Sequence, residues 1–177
     1  MADLVNRVFQ RHIVPPFLAA IYYSLKYHCY ISTQARVQLT SKISFGKGTV
    51  VKPYTILQTQ GGRICTGENC AISSFNHIST GIEDVILGNY VRIGPQVTIM
   101  GGSRNFKRKD QLIVLQGSYH KSVIIEDDVL IGSGVVILPG CRIGQGAVIG
   151  AMSLINHDVP QYSIVAGAPA KVIGERV

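Results

Sequence analysis

The residues of this chain with most chemistry to offer are its five histidines and one dense run of cations. An imidazole titrates near neutrality, so it can take a proton from a hydroxyl at physiological pH. His77 stands in SSFNHIST beside Asn76, His120 closes LQGSYH, and His157 follows Asn156 in INHDVP. His12 and His28 lie in the N-terminal segment and read as structural. The run RNFKRKD brings Arg104, Lys107, Arg108 and Lys109 together against a single Asp110. Such a run is either a solvated loop or a grip on phosphates and carboxylates. Cys29, Cys65, Cys70 and Cys141 show no C-x-x-C spacing and read as free thiols of a reducing compartment.

The elements that must position these groups follow a period that is neither helical nor that of an ordinary strand. Ile125, Ile131, Ile137, Ile143, Ile149 and Ile155 recur every sixth residue. Four residues after each comes a small or β-branched residue: Val129, Val135, Cys141, Ala147, Ser153 and Val159. Each unit reads as a short strand and a tight turn, with the aliphatic group inward. Units of this kind stack into a solenoid, here a parallel β-helix whose coils lie about 4.8 Å apart. The rhythm continues upstream through Leu39, Phe45, Val51 and Leu57, then Thr66, Ile72 and Ile78, then Leu87, Ile93 and Ile99.

The jumps from 57 to 66, from 78 to 87 and from 99 to 125 each carry extra residues. If three hexapeptides complete a coil, all three insertions fall at one corner, and insertions gathered on one face are where a repeat protein builds its binding site. The longest, residues 103–122, carries the cationic run. Before the solenoid, residues 1–32 form a helical segment. Asp3 caps a short helix with Leu4, Val5, Val8 and Phe9 on one face. A second helix follows Pro15-Pro16 with Phe17, Leu18, Ile21, Tyr22 and Leu25 on one stripe. That stripe packs on the protein or a neighbouring copy, or lies shallowly in a membrane surface.

Hydrophobic residues make up 46% and charged residues 15%, which excludes a disordered chain and suggests a surface covered by a partner or by copies of itself. The net charge of +7 favours anionic ligands. Nucleic acid is a poor partner, because no binding motif accompanies the charge and Phe106 is the only aromatic residue of the run. No apolar span of transmembrane length occurs, and a cytoplasmic protein is expected, in reach of the membrane's inner face through residues 1–28.

The segments VIIEDDVLIGSGVVILPGCRIGQGAVIGAMSLINHDVP and YSIVAGAPAKVIG resemble the left-handed β-helix, hexapeptide-repeat acyltransferases. The likeness is strongest to the maltose and galactoside O-acetyltransferases and the acetyltransferases of bacterial polysaccharide biosynthesis. It spans residues 33–173, within an expected β-helix domain over 33–177. The resemblance implies a homotrimer with sites between neighbouring prisms. It also implies acetyl transfer from acetyl-CoA to a sugar or sugar-nucleotide acceptor, without a metal. A histidine of the family serves as base at the start of the long loop, a place held here by Arg104 in GGSRNF, and arginine keeps its proton. Arg104, with Asn105, is then expected to hold a phosphate or sugar carboxylate.

Four readings stay open for the base. His77 can replace it, with Asn76 matching a family asparagine that orients the acceptor. His120 can fold back from the loop's far end. An amine acceptor, N-acetylated, needs no base. Lastly, the chain can be a silent trimeric scaffold. By the same resemblance Ser133, Ala151, Asn156, His157 and Lys171 line the coenzyme A groove. A γ-type carbonic anhydrase would need three histidines about one metal, and only His77 lies among the middle coils.

Overall fold

The computed structural model describes residues 14–177; the short helix expected over residues 4–9 lies outside them. The chain is a left-handed parallel β-helix of about six turns. Its strands, mostly two or three residues long, line three flat faces. Face 1 begins at Tyr30–Ile31, three residues before the expected domain boundary, and continues through Val50–Val51, Ala71–Ile72, Arg92–Ile93, Leu130–Ile131, Val148–Ile149 and Ser163–Gly167. Face 2 holds Arg36–Val37, Ile56–Gln58, His77–Ser79, Thr98–Met100, Val136–Ile137 and Leu154–Ile155. Face 3 holds Ile43–Ser44, Ile64–Thr66, Val85–Leu87, Val123–Ile125 and Arg142–Ile143.

The six-residue rhythm is the inward column of each face. Ile72, Ile93, Ile131 and Ile149 pile up behind face 1, and Leu57, Ile78, Ile99, Ile137 and Ile155 behind face 2, all essentially solvent-free. Val129, Val135, Cys141, Ala147, Ser153 and Val159 are buried beside them at the corners. Face 3 differs, because most of its strands turn two residues inward. Ile43, Ile64, Val85 and Val123 are buried two positions ahead of Phe45, Thr66, Leu87 and Ile125. Thr66 is tolerated there because its hydroxyl accepts from the Gly46 N–H at 3.3 Å. This doubling shifts the rhythm by two residues before Phe45. The expected ladder residue Leu39 is therefore only partly buried, and Val37 takes its place.

All three insertions leave face 2 and enter face 3, so they stack at one corner as the spacing predicts. Both ends of the solenoid are capped. At the C-terminal end Ala170–Glu175 pairs antiparallel with Ser163–Gly167. At the other end helix Pro16–Tyr27 lies over the first coil, and its packing differs from the expected stripe. Ala19, Ala20 and Tyr23 are buried, whereas Phe17, Leu18, Ile21, Tyr22 and Leu25 are 44–74% exposed. Two alanines let the helix approach closely, and a phenol between them finds polar partners that larger aliphatic groups could not use. No helix among the described residues is long and apolar enough to cross a membrane.

Candidate functional site

The insertion corner contains a cavity of about 290 Å³. The long insertion folds back on itself as a hairpin: Gly102–Arg104 pairs antiparallel with Ser118–His120, in the register Gly102 to His120, Ser103 to Tyr119 and Arg104 to Ser118. Alternation along a strand sends every second residue to the same side. Gly102, Arg104, Ser118 and His120 accordingly share a face, and all four line the cavity with Gln60, Ser79, Thr80 and Ser103. Three serines, an amide residue, an arginine and a histidine thus border one small space, while the Thr80 hydroxyl is held by the Gln60 N–H and the Gly62 carbonyl.

His120 is seated between two glycines. A Cβ on Gly81 would lie 2.0 Å from its Nδ1, and one on Gly102 2.4 Å from the same atom. Any side chain at either position would evict the ring. Nδ1 is buried and has no hydrogen-bond partner among the described residues, so no protein group there fixes the ring's tautomer.

A second cavity, about 630 Å³, opens on the hairpin itself. It shares Arg104 with the corner cavity and adds Lys107 and Lys121 beside Phe106, Leu115 and Tyr119. The loop around it is knitted by one amide. Gln116 donates from Nε2 to the carbonyls of Arg108 (2.7 Å) and Gln111 (2.8 Å), and its Oε1 accepts from the Arg108 N–H at 3.1 Å. Arg108 is bound twice to Asp110, which it holds below the usual carboxylate range. Asn105, expected as a substrate ligand, lines this cavity but donates its Nδ2 to the Gln116 carbonyl at 3.1 Å.

His77 does not line either cavity. It projects from face 2, and Gln58 Nε2 lies 3.0 Å from its Nε2. An amide nitrogen only donates, so His77 Nε2 accepts and the ring proton sits on Nδ1. Asn76, expected to orient the acceptor, is bound between neighbouring coils. It is buried, its Nδ2 donates to the Ser73 carbonyl at 2.7 Å and its Oδ1 accepts from the Val97 N–H at 2.6 Å. The side chain bridges two coils and is 1% exposed.

The residues expected around coenzyme A divide between the edges of face 2. Ser133 and Ala151 stack at the corner toward face 1, with the Met152 N–H donating to the Ser133 carbonyl at 2.8 Å. Lys171 continues that end of the molecule, exposed and paired with Ala166. Asn156 and His157 lie at the opposite edge, the insertion corner, with His157 Nδ1 2.7 Å from Asn156 Oδ1. An amide oxygen only accepts, so the proton is on Nδ1 and Nε2 is left for a ligand. The structure thus joins Arg104 and His120, places Asn156 and His157 on the same edge, and leaves His77 on the adjoining face. Sequence reasoning passed over Ser79, Thr80, Ser103 and Ser118; the one signal for the last two was the alternation in GSR and SYH, which becomes informative only once the hairpin register is known. Among the described residues no group of three or more His, Cys, Asp or Glu side chains is arranged to hold a metal.

Residues 122–157 match the family model described as bacterial transferase hexapeptide, six repeats. A galactoside O-acetyltransferase of Lactococcus lactis subsp. lactis is 36% identical over 126 residues, 60% of this chain and 60% of that protein. A 2,3,4,5-tetrahydropyridine-2,6-dicarboxylate N-acetyltransferase of Staphylococcus aureus is 59% identical over 51 residues, 29% of this chain. The chain spans 60% of the first relative's length and 21% of the second's. Its fold is shared with the N-acyltransferase AntD of Bacillus cereus, solved with dTDP-4-amino-4,6-dideoxyglucose and coenzyme A. The TM-score is 0.77 at 20% identity over 85% of this chain and 82% of that one. It is shared also with a hexapeptide-repeat acetyltransferase of Vibrio cholerae solved with acetyl-CoA, at TM-score 0.62 and 19% identity over 98% and 85% of the two chains. Residues 122–157 thus carry the hexapeptide repeat, and the chain is similar in sequence to the galactoside O-acetyltransferase and in fold to the two acyltransferases.

Proposed function

We propose that the protein is an acetyl-CoA-dependent acetyltransferase acting on a sugar or sugar nucleotide, by O-acetylation in the assembly of a bacterial surface polysaccharide. The observation that carries this reading is the corner cavity, where hydroxyl, amide and guanidinium groups suited to a polyol surround one imidazole. The acetyltransferase relatives, and the coenzyme A and acetyl-CoA bound by proteins of the same fold, support the donor. Ser133, Ala151 and Lys171 on one edge of face 2, with Asn156 and His157 on the other, are assigned to coenzyme A. The protein works as a cytoplasmic homotrimer, with the exposed stripe of helix Pro16–Tyr27 resting on a neighbour or on the membrane's inner face.

In this reaction the acceptor oxygen attacks the thioester carbonyl carbon, its proton passes to a base, the C–S bond breaks and the coenzyme A thiolate is reprotonated. We assign the base to His120. Its Nδ1 is sealed against the glycines, so Nε2 is the nitrogen left to take the proton. His77, whose Nε2 is occupied by Gln58, is the alternative base. A second reading, N-acetylation of an amino sugar, is favoured by the absence of an imidazole at position 104 and by the N-acyl transfer named for two of the similar proteins.

Calorimetric titration with acetyl-CoA and with coenzyme A tests the proposal. Saturable binding near one site per chain is expected, followed by acetyl transfer in a screen of hydroxyl and amino sugars. A folded protein that binds neither would be a silent scaffold.

A further inference from the structure

The connection between the two hairpin strands carries its apolar residues on the outside. Leu112, Ile113, Val114 and Leu115 follow one another, and with Phe106 they are 56–70% exposed. No side chain of the 3₁₀ turn Ile113–Leu115 is buried, so the turn adds nothing to the core. Around this tip the charge has one sign. Arg104, Lys107, Arg108, Lys109 and Lys121 stand against Asp110 alone, so residues 103–122 hold more than half of the chain's net charge of +7. Arg108 takes Asp110 at 2.7 Å, and the other four cations have no anionic partner among the described residues. Cations and apolar groups adjoin, because Arg104, Lys107 and Lys121 line the hairpin cavity together with Phe106 and Leu115. The Gln116 amide ties Arg108 to Gln111 across the loop, which gives the tip a framework of its own.

From this arrangement we infer that the tip of the 103–122 hairpin docks on an anionic phospholipid surface, its aliphatic side chains entering the headgroup layer and its cations meeting the lipid charge. The inference goes beyond acetyl transfer and does not depend on it, nor does it use helix Pro16–Tyr27. An exposed apolar cluster rimmed by charge marks an interaction surface, and the chemistry of the rim selects the partner. A nucleic-acid backbone would use the cations but not four consecutive aliphatic side chains. A second copy of the chain offers little opposite charge. Outside the loop it is still net positive, and its Asp84, Glu126 and Asp128 are already paired with Arg63, Arg142 and Arg176. An anionic bilayer satisfies both halves of the tip, since its surface potential attracts lysine and arginine and its headgroup boundary takes apolar groups. The same hairpin supplies Arg104, Ser118 and His120 to the corner cavity, so docking brings that cavity to the lipid surface.

The test is flotation of the full-length protein with vesicles of phosphatidylcholine alone and of equal parts phosphatidylcholine and phosphatidylglycerol. Binding is expected on the anionic vesicles, at least about tenfold weaker on the neutral ones, and reduced by salt, which screens exposed charge. Leu112→Asp combined with Val114→Asp should remove it while the sedimentation mass stays that of the wild type. Lys107→Gln and Lys109→Gln should each weaken it about fivefold, the weight of one cation at an anionic surface. A wild type that ignores anionic vesicles, or binds both kinds equally, would overturn the inference. Binding that survives the Leu112→Asp, Val114→Asp pair but is lost in Leu25→Asp would overturn it too, by assigning the lipid contact to the helix. A fall in sedimentation mass in the Leu112→Asp, Val114→Asp pair would make the tip a contact between copies instead.

Discussion

Two glycines define what the imidazole of His120 can do. A methyl at position 81 would meet Nδ1 at 2.0 Å and the Gly101 carbonyl at 2.8 Å, so Gly81→Ala must displace the ring without altering its chemistry. If His120 is the base, Gly81→Ala should lower kcat at least about tenfold, and His120→Ala by about 10²–10⁴, with acetyl-CoA binding retained in both. An His120→Ala enzyme with normal kcat toward a hydroxyl acceptor would remove the assignment. The composition of this site was half legible in the sequence. Arg104 was readable as the wrong residue for a base, because charge state follows from residue type. The pairing of His120 with Gly102 was not, since register across a 13-residue connection without a turn signature depends on the whole loop. Asn76 carries a related ambiguity: the same amide can orient a ligand or clamp two coils, and the buried side chain is bound here between coils.

At the scale of elements, helix Pro16–Tyr27 is fastened by one phenol. The Tyr23 hydroxyl accepts from the Thr40 N–H at 3.0 Å and faces the carbonyls of Gln38 (2.9 Å) and Thr40 (2.8 Å) as donor. Burial pushes its pKa up to about 12, against about 10 for an unfolded tyrosine. The neutral phenol therefore stabilises the fold fully below pH ~10, and its contribution drains away as pH rises from there toward 12. Tyr23→Phe should cost about 1–2 kcal/mol at pH 7 and lose this alkaline dependence, measured by urea unfolding followed by circular dichroism.

The insertions have the opposite sensitivity. Asp84 takes the Arg63 N–H at 2.7 Å and both Nε and Nη2 of that guanidinium, which holds its carboxyl below the usual range. Its stabilisation is present above the unfolded carboxylate value near 3.9 and is lost as pH falls through the lower folded value. Asp84→Asn should thus be less stable than wild type from pH 7 to 5, with the gap closing below pH ~4. A gap that persists unchanged at pH 2.5 would show that the pair contributes through packing alone. Periodicity made the solenoid readable because burial repeats with the coil. It misplaced Leu39 because Ile43, on its short strand, and Phe45, just after it, both turn inward, a local doubling that a strict six-residue template cannot contain.

The whole molecule carries apolar residues where a lone solenoid does not need them. Ile56, Val136 and Leu154 look outward from face 2, Ile86 and Ile124 from face 3, and Leu130 from face 1, all partly or fully accessible in the single chain. Their inward neighbours already fill the core of the coil. Columns of this kind on flat, low-charge faces are suited to burial between copies, and the proposed trimer would bury them. Sedimentation equilibrium should return three times the 19.2 kDa chain mass. Ile124→Glu, which puts a carboxylate on face 3 without disturbing the inward ladder, should shift that mass toward one chain and leave the far-ultraviolet spectrum unchanged. Because the proposed coenzyme A groove lies between prisms, the same variant should bind acetyl-CoA at least about tenfold more weakly. A monomeric wild type that still binds acetyl-CoA would place the whole donor site within one chain, and with it the need for every residue of the site to come from the corner and face described above.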